Sequence, residues 1–190
     1  IGVTVVQTLA LPLPSTHTVS TKKVAISHVV DNELTRAAAV ADGIVAAVAT
    51  TKLQPVLDEC DGVIITAPDE YHRELIELAL VAGKPVLCEK PLATTTEDCL
   101  ELLKAESQLS RPLISLGFMR RFDPGYRALR RVITDGNDGA LLMSHSVHRN
   151  PSSAEVTTAA ATRGLPTHEF ERLRGLRSEQ IAREATFAGK

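Results

Sequence analysis

Cysteine is scarce in this chain. Its 190 residues hold three, Cys60, Cys88 and Cys99, and an odd count without Cys-x-x-Cys spacing argues against a disulfide framework. A reducing cytoplasm is therefore the expected location. His17 and His28 lack ligand spacing to a cysteine or carboxylate, and His145 and His148, three apart on an expected strand, would point to opposite faces, so no metal site is expected. A basic excess is also lacking. The formal net charge is −2, which gives no general attraction for nucleic acid. No run approaches the ~20 continuous apolar residues of a membrane span, and the N-terminus lacks the basic start of a signal peptide. The chain reads as soluble, with no membrane partner. Solenoid-type repeats are absent too.

What is present is ordinary globular composition, 44% hydrophobic and 23% charged, enough for one substantial core. From about residue 22 the chain alternates between two kinds of segment. "KVAIS" (23–27) is β-prone, and "DNELTRAAAVA" (31–41) predicts a helix with Asp31 or Asn32 as N-cap. "GVIITA" (62–67) is an apolar run of the sort covered on both faces. After Pro68, Asp69 can cap a helix with an apolar stripe of Leu75, Ile76, Leu78, Ala79 and Ala82; Gly83 suits its C′ position, and Pro85 prevents continuation. "PVLCEK" (85–90) predicts a strand, and 94–109 a helix with Thr94 and Glu97 at capping-box spacing. "LISLGF" (113–118) predicts a strand, Asp123 and Pro124 suit N-cap and N1 of a further helix, and 140–149 predicts one more strand. Residues 9–23 and 150–167 read as loop-rich. The pattern is α/β, a doubly wound parallel sheet with helices on both faces.

Ligands of such sheets bind outside the carboxyl ends of the strands. "TAPDEYH", "CEKP", "GFMRRF" and "HSVHRN" follow successive expected strands. Lys90, Arg120, Arg121, His148, Arg149 and Asn150 could converge there. A partly buried lysine can exchange a proton with a substrate hydroxyl; a lysine at a strand end can also simply reach into water. Arg120, Arg121, Arg127, Arg130 and Arg131 interleave with Phe118, Phe122 and Tyr126, a combination able to bind single strands. Because Ala128, Leu129, Val132 and Ile133 mark an apolar helix face, the arginines read better as its solvated side. The three cysteines read as packed thiols.

"DGVIITAPDEYHRELIELALVAGKPVLCEKPLA" (61–93) resembles the strand, proline turn, histidine-bearing helix and Glu-Lys-Pro signature of the Gfo/Idh/MocA family of nicotinamide-dependent sugar and polyol oxidoreductases. "GFMRRFDPGYRAL" (117–129) and "HSVHRNP" (145–151) are similar to its inositol dehydrogenase branch in particular. The resemblance implies a Rossmann domain over residues 1–118, followed over 119–190 by the start of a substrate-binding α/β domain. It implies NAD or NADP as cofactor, a cyclic polyol or sugar as substrate, and self-association of the full-length protein. Lys90 would be the catalytic lysine and His168, in "THEFERLRGL" (167–176), the acid/base partner at the start of a helix. Thr66, Pro68, His72, Glu89 and Lys90 would line the cofactor, and Arg120, His148, Asn150 and His168 the polyol.

The chain departs from the family pattern in several places. The glycine-rich turn expected between Val3 and Thr4 is absent, and with it the usual pyrophosphate cradle. Gly164 stands where the inositol branch has an aspartate one turn before the histidine. His28 follows the expected second strand where an acidic residue would hold the adenosine ribose, which leaves Asp31 as the candidate substitute. Family-like sequence resumes on both sides of Val3/Thr4, so an incomplete record of a longer chain is expected. The competing reading is a non-catalytic structural or interaction protein derived from this family.

Overall fold

The computed structural model describes residues 25–135 and 165–189. Residues 25–116 and 165–189 belong to one compact unit, and 117–135 to a second. The junction at Val3/Thr4, Gly164, the expected strand 140–149, His148 and Asn150 lie outside the described residues.

In the first unit, β1 (His28–Val30) and β2 (Val48–Thr50) pair in parallel, with α1 (Leu34–Ala41) between them in sequence. After α2 (Leu53–Glu59) come β3 (Val63–Ile65), a 3₁₀ turn (Asp69–Tyr71), α3 (His72–Val81), β4 (Val86–Cys88), α4 (Thr96–Ser107) and β5 (Ile114–Leu116). β3, β4 and β5 form a second parallel group in that order. Both groups show the parallel, helix-connected pairing of a doubly wound sheet. The main core gathers Leu57, Ile65, Leu75, Ile76, Val86, Cys88 and Leu102; a smaller cluster joins Val29 to Ala37 and Ala41.

The first strand lies later than expected, at 28–30 rather than 23–27. Its ladder with β2 decides this: His28 pairs with Val48, Val30 with Thr50, and the Asp31 N–H still donates to the Thr50 carbonyl at 3.2 Å. Asp31 is consequently the first residue past the strand. The helix starts after it, with Glu33 as N-cap, and Asp31 contributes from two residues upstream by accepting the Glu33 N–H at 2.9 Å.

β2 and α2 were not expected from sequence. "AAVAT" is rich in alanine, a weak strand former, and Pro55 argues against a helix until its place in the first turn is known. There the missing N–H needs no partner.

α3 ends as its sequence requires. Gly83 adopts φ +67°, its N–H donates to the Leu80 carbonyl at 2.9 Å, and the Lys84 N–H donates to the Ala79 carbonyl at 2.9 Å, the Schellman arrangement. Gly62 serves a different need. A Cβ there would stand 3.2 Å from the Pro85 carbonyl oxygen, where β3 runs beside β4.

The cap of α4 is one residue later than expected. Thr95, extended at φ −126° and 2% exposed, accepts the Asp98 N–H at 3.1 Å; Thr94 is left with a buried hydroxyl that has no hydrogen-bond partner among the described residues. Thr95→Ala should lower stability by about 1 kcal/mol, read as a lower urea midpoint with an unchanged slope.

α6 (Thr167–Ala188) packs on the first unit. Leu173 is buried in the main core. Arg177 Nε donates to Glu70 Oε1 at 2.5 Å, and Gln180 Nε2 to the Glu70 carbonyl at 3.0 Å. Glu184 accepts both the N–H and the hydroxyl of Thr96 at 2.7 Å, so a carboxylate from one helix covers the exposed N-terminal donors of another.

In the second unit, a 3₁₀ turn (Met119–Phe122) leads to α5 (Pro124–Thr134). Asp123 is the expected N-cap, accepting the N–H groups of Gly125 and Tyr126 at 2.9 and 3.2 Å, and Pro124 occupies N1. No residue of α5 is buried; Leu129, Val132 and Ile133 are exposed.

Candidate active site

Register brings two loops side by side. Ile65 pairs with Cys88 as the last residues of β3 and β4, and one further ladder bond runs from the Glu89 N–H to the Ile65 carbonyl at 2.9 Å. Thr66 and Glu89 therefore leave adjacent strands at the same level. Pro68 follows on one side and Lys90 on the other. Thr66, Pro68 and Glu89 are half-buried, and Lys90 is exposed. The partial burial that sequence reasoning attached to Lys90 is thus not supplied by the described residues, because the lysine lies past the last ladder bond. The Lys90–Pro91 peptide is cis.

His72 joins these loops from beneath. It is fully buried, with Nδ1 2.6 Å from the Pro91 carbonyl oxygen and Nε2 2.9 Å from that of Ala67. Both partners can only accept. A neutral ring has one N–H and can donate to one of them; donating to both takes a proton on each nitrogen.

The acidic groups nearby have separate tasks. Partial burial raises the Asp69 carboxyl above its ordinary range, against the opposing influence of His72 and Lys90. Glu70, 6% exposed, is held by Arg177. Burial pushes the Cys88 thiol up to about 12, with Glu89 and Asp69 adding to the effect, which suits a packed thiol and not a nucleophile. Sequence reasoning missed Asp69 as a neighbour of Lys90. An acidic residue directly after the strand-end proline was the available signal, and it was spent on helix capping.

The other expected site residues are placed as follows. Asp31, 2% exposed at the carboxyl end of β1, accepts from Arg36 Nε at 3.1 Å and Nη2 at 2.6 Å. His168 is the second residue of α6, its side chain 78% exposed and its Nε2 3.9 Å from Glu169 Oε1. Glu169 also accepts from Asn32 Nδ2 at 3.4 Å, which sets the start of α6 near the end of β1. No hydrogen bond joins His168 to Lys90 among the described residues. Arg120, in the second unit, lies 3.7 Å from Asp123 and 5.7 Å from the Tyr126 ring centroid. Arg121 stacks similarly on Phe118 at 5.2 Å, so these arginines are engaged by their own aromatic neighbours.

Parallel strands, helical connections and polar residues gathered at strand carboxyl ends define a doubly wound, Rossmann-type domain. Residues 10–118 match the oxidoreductase family with an NAD-binding Rossmann fold, Gfo/Idh/MocA. The chain belongs to that family. It is 45% identical over 130 residues to inositol 2-dehydrogenase 2 of Saccharopolyspora erythraea, covering 65% of this chain and 37% of the relative. It is 40% identical over 149 residues to inositol 2-dehydrogenase of Corynebacterium glutamicum strain R, covering 77% and 44%. Among solved structures it is similar to myo-inositol dehydrogenase from Lactobacillus casei in complex with NAD(H) and myo-inositol, at 30% identity and TM-score 0.58, over 61% of this chain and 35% of that one. The chain thus spans less than half the length of the relatives it matches.

No helix among the described residues is long and apolar enough to cross a membrane.

Proposed function

We propose that the protein carrying this chain is an NAD(P)-dependent dehydrogenase that moves a hydride between a nicotinamide and a cyclic polyol or sugar of the inositol type. The observation that carries this reading is the adjacency of the β3 and β4 ends, which sets Thr66 and Pro68 beside Glu89 and an exposed Lys90. The names of its relatives support the substrate class.

The residues present fit a nicotinamide end at that edge: the loops after β3 and β4 lie side by side, and Lys90 stands exposed there with no ion pair among the described residues. Bound nicotinamide supplies a two-electron acceptor for the hydrogen leaving the carbinol carbon. Lys90 takes the hydroxyl proton as the carbonyl forms, and returns it in the reverse direction. His168 acts with it as acid/base partner. Thr66, Pro68, Glu89 and Lys90 line the cofactor, with His72 behind them, and Asp31, at the end of β1, takes the ribose end. Arg120, His148 and Asn150 receive polyol hydroxyls. Residues 1–118 make the nucleotide-binding domain, and 119–190 begin the substrate domain with α6 folded back on the first unit. The full-length protein self-associates and acts in the cytoplasm.

Calorimetric titration of the full-length protein with NAD and with NADP tests the cofactor assignment. Saturable binding of at least one is expected. Failure of both to bind at about 1 mM, the upper end of ordinary working concentrations, would favour the non-catalytic reading.

A further inference from the structure

We infer that His72 is a positioning residue for Lys90, acting through the Pro91 carbonyl. The use of Lys90 in proton transfer rests on the function proposed above; the mechanical link does not. Lys90 sits between two fixed peptide groups. On one side the Glu89 N–H is tied to the Ile65 carbonyl at 2.9 Å, and on the other the Pro91 carbonyl is tied to His72 Nδ1 at 2.6 Å. Pro91 has no N–H with which to make a second tie.

The opposite ring nitrogen of His72 reaches the Ala67 carbonyl at 2.9 Å. One imidazole therefore spans the loop after β3 and the loop after β4, the pair that carries the candidate cofactor wall and the lysine. The ring itself is 0% exposed. With the ring covered, His72 stands behind the candidate cofactor wall and not on its surface. Its influence on a reaction passes through the backbone it holds. A short loop held at both ends keeps the amine within the narrow range of positions that proton transfer needs.

The two nitrogens can be tested separately. In His72→Asn the side-chain amide can occupy the place of Nδ1 and keep the Pro91 tie; in His72→Gln it can occupy the place of Nε2 and keep the Ala67 tie instead. Competitive acylation of the full-length protein reads Lys90 against Lys52 and Lys104, exposed lysines elsewhere in the same unit. His72→Phe and His72→Gln should change the relative labelling rate of Lys90 by about threefold or more, since amine reactivity follows its local environment, while His72→Asn stays near the parent. A general loss of stability would alter all three lysines together. Equal Lys90 labelling in Asn and Gln variants that both remain folded would overturn the inference, as would an unchanged rate in a folded Phe variant. Because labelling needs no cofactor or turnover, these outcomes are independent of whether the dehydrogenase assignment holds. In an active full-length enzyme, the same pair should split in kcat, with KM for the cofactor little changed.

Discussion

Lys90→Met in the full-length protein should lower kcat for polyol oxidation by about 10²–10⁴-fold, the usual worth of a positioned general base, with cofactor binding largely retained. Methionine keeps an unbranched stem of similar length and removes only the amine. The lysine is exposed, with no ion pair among the described residues and only the Asp69 charge nearby, so its loss should not disturb the fold. Cys88, two residues earlier, and Val86 carry the packing of that strand at 0% and 2% exposure. Steady-state kinetics beside a calorimetric titration of the cofactor would separate the two effects. A variant that loses binding together with turnover would make Lys90 a binding group; one that keeps full turnover would remove it from the chemistry.

The second large effect is expected far from that loop. Asp98 is 1% exposed at the third position of α4, and its carboxylate receives guanidinium groups from two other helices: Arg73 Nη1 on α3, and Arg183 Nη2 on α6 at 2.7 Å. Arg73 also reaches Glu77 at 2.9 Å and Glu101 at 2.5 Å, and Arg183 reaches Glu97 at 2.9 Å. Asp98→Ala removes the one carboxylate both arginines share. Breaking a buried pair costs about 3–5 kcal/mol when the remaining charge is shut away. Both arginines are about one-third exposed and keep other carboxylates, so about 2–4 kcal/mol is expected here, measured by urea denaturation.

The same carboxylate gives an acid limb to stability. Burial of Asp98 works to raise its pKa, but hydrogen bonds from Arg183, Thr95 and Arg73 outweigh it and hold the group below its ordinary value. A depressed folded pKa means that the unfolded chain binds protons first. The stabilisation is therefore present above the unfolded value of about 3.9 and fades as pH falls through the lower folded value. Asp98→Ala should flatten that part of the curve.

Sequence pattern located β3, α3, β4, α4, β5 and α5, and four of them are bounded by a residue with a definite backbone habit: Gly62 and Pro68 for β3, Gly83 and Pro85 between α3 and β4, Asp123 and Pro124 for α5. It failed where the signal was tertiary. β1 is set by its ladder to an alanine-rich β2 that carries no strand signature of its own, and the shift moved Asp31 from a helix cap to a strand end. For α4, two adjacent threonines offered equal local chemistry. The structure uses Thr95, which accepts the Asp98 N–H while the Asp98 side chain is held by arginines 25 and 85 positions away.

The site was legible as residue types and less so as geometry. Glu89-Lys90-Pro91 could be placed at a strand end from the apolar run before it. That His72 would turn away from the surface and set its two ring nitrogens against two carbonyls could not be read from its spacing, because the Pro91 partner lies 19 residues on. The packing of α6 against the first unit was equally hidden. It depends on Leu173 entering the main core and on Arg177, Gln180, Arg183 and Glu184 meeting partners 85 to 110 positions earlier in the chain.

The central claim is that a hydride leaves the carbinol carbon for a nicotinamide beside Lys90. Incubating the full-length protein with carbon-deuterated myo-inositol and NAD or NADP, then analysing the reduced cofactor by mass spectrometry, tests it directly. The account predicts one deuterium per molecule of reduced cofactor. Absence of reduced cofactor with either nucleotide, or deuterium found in solvent water instead, would contradict it.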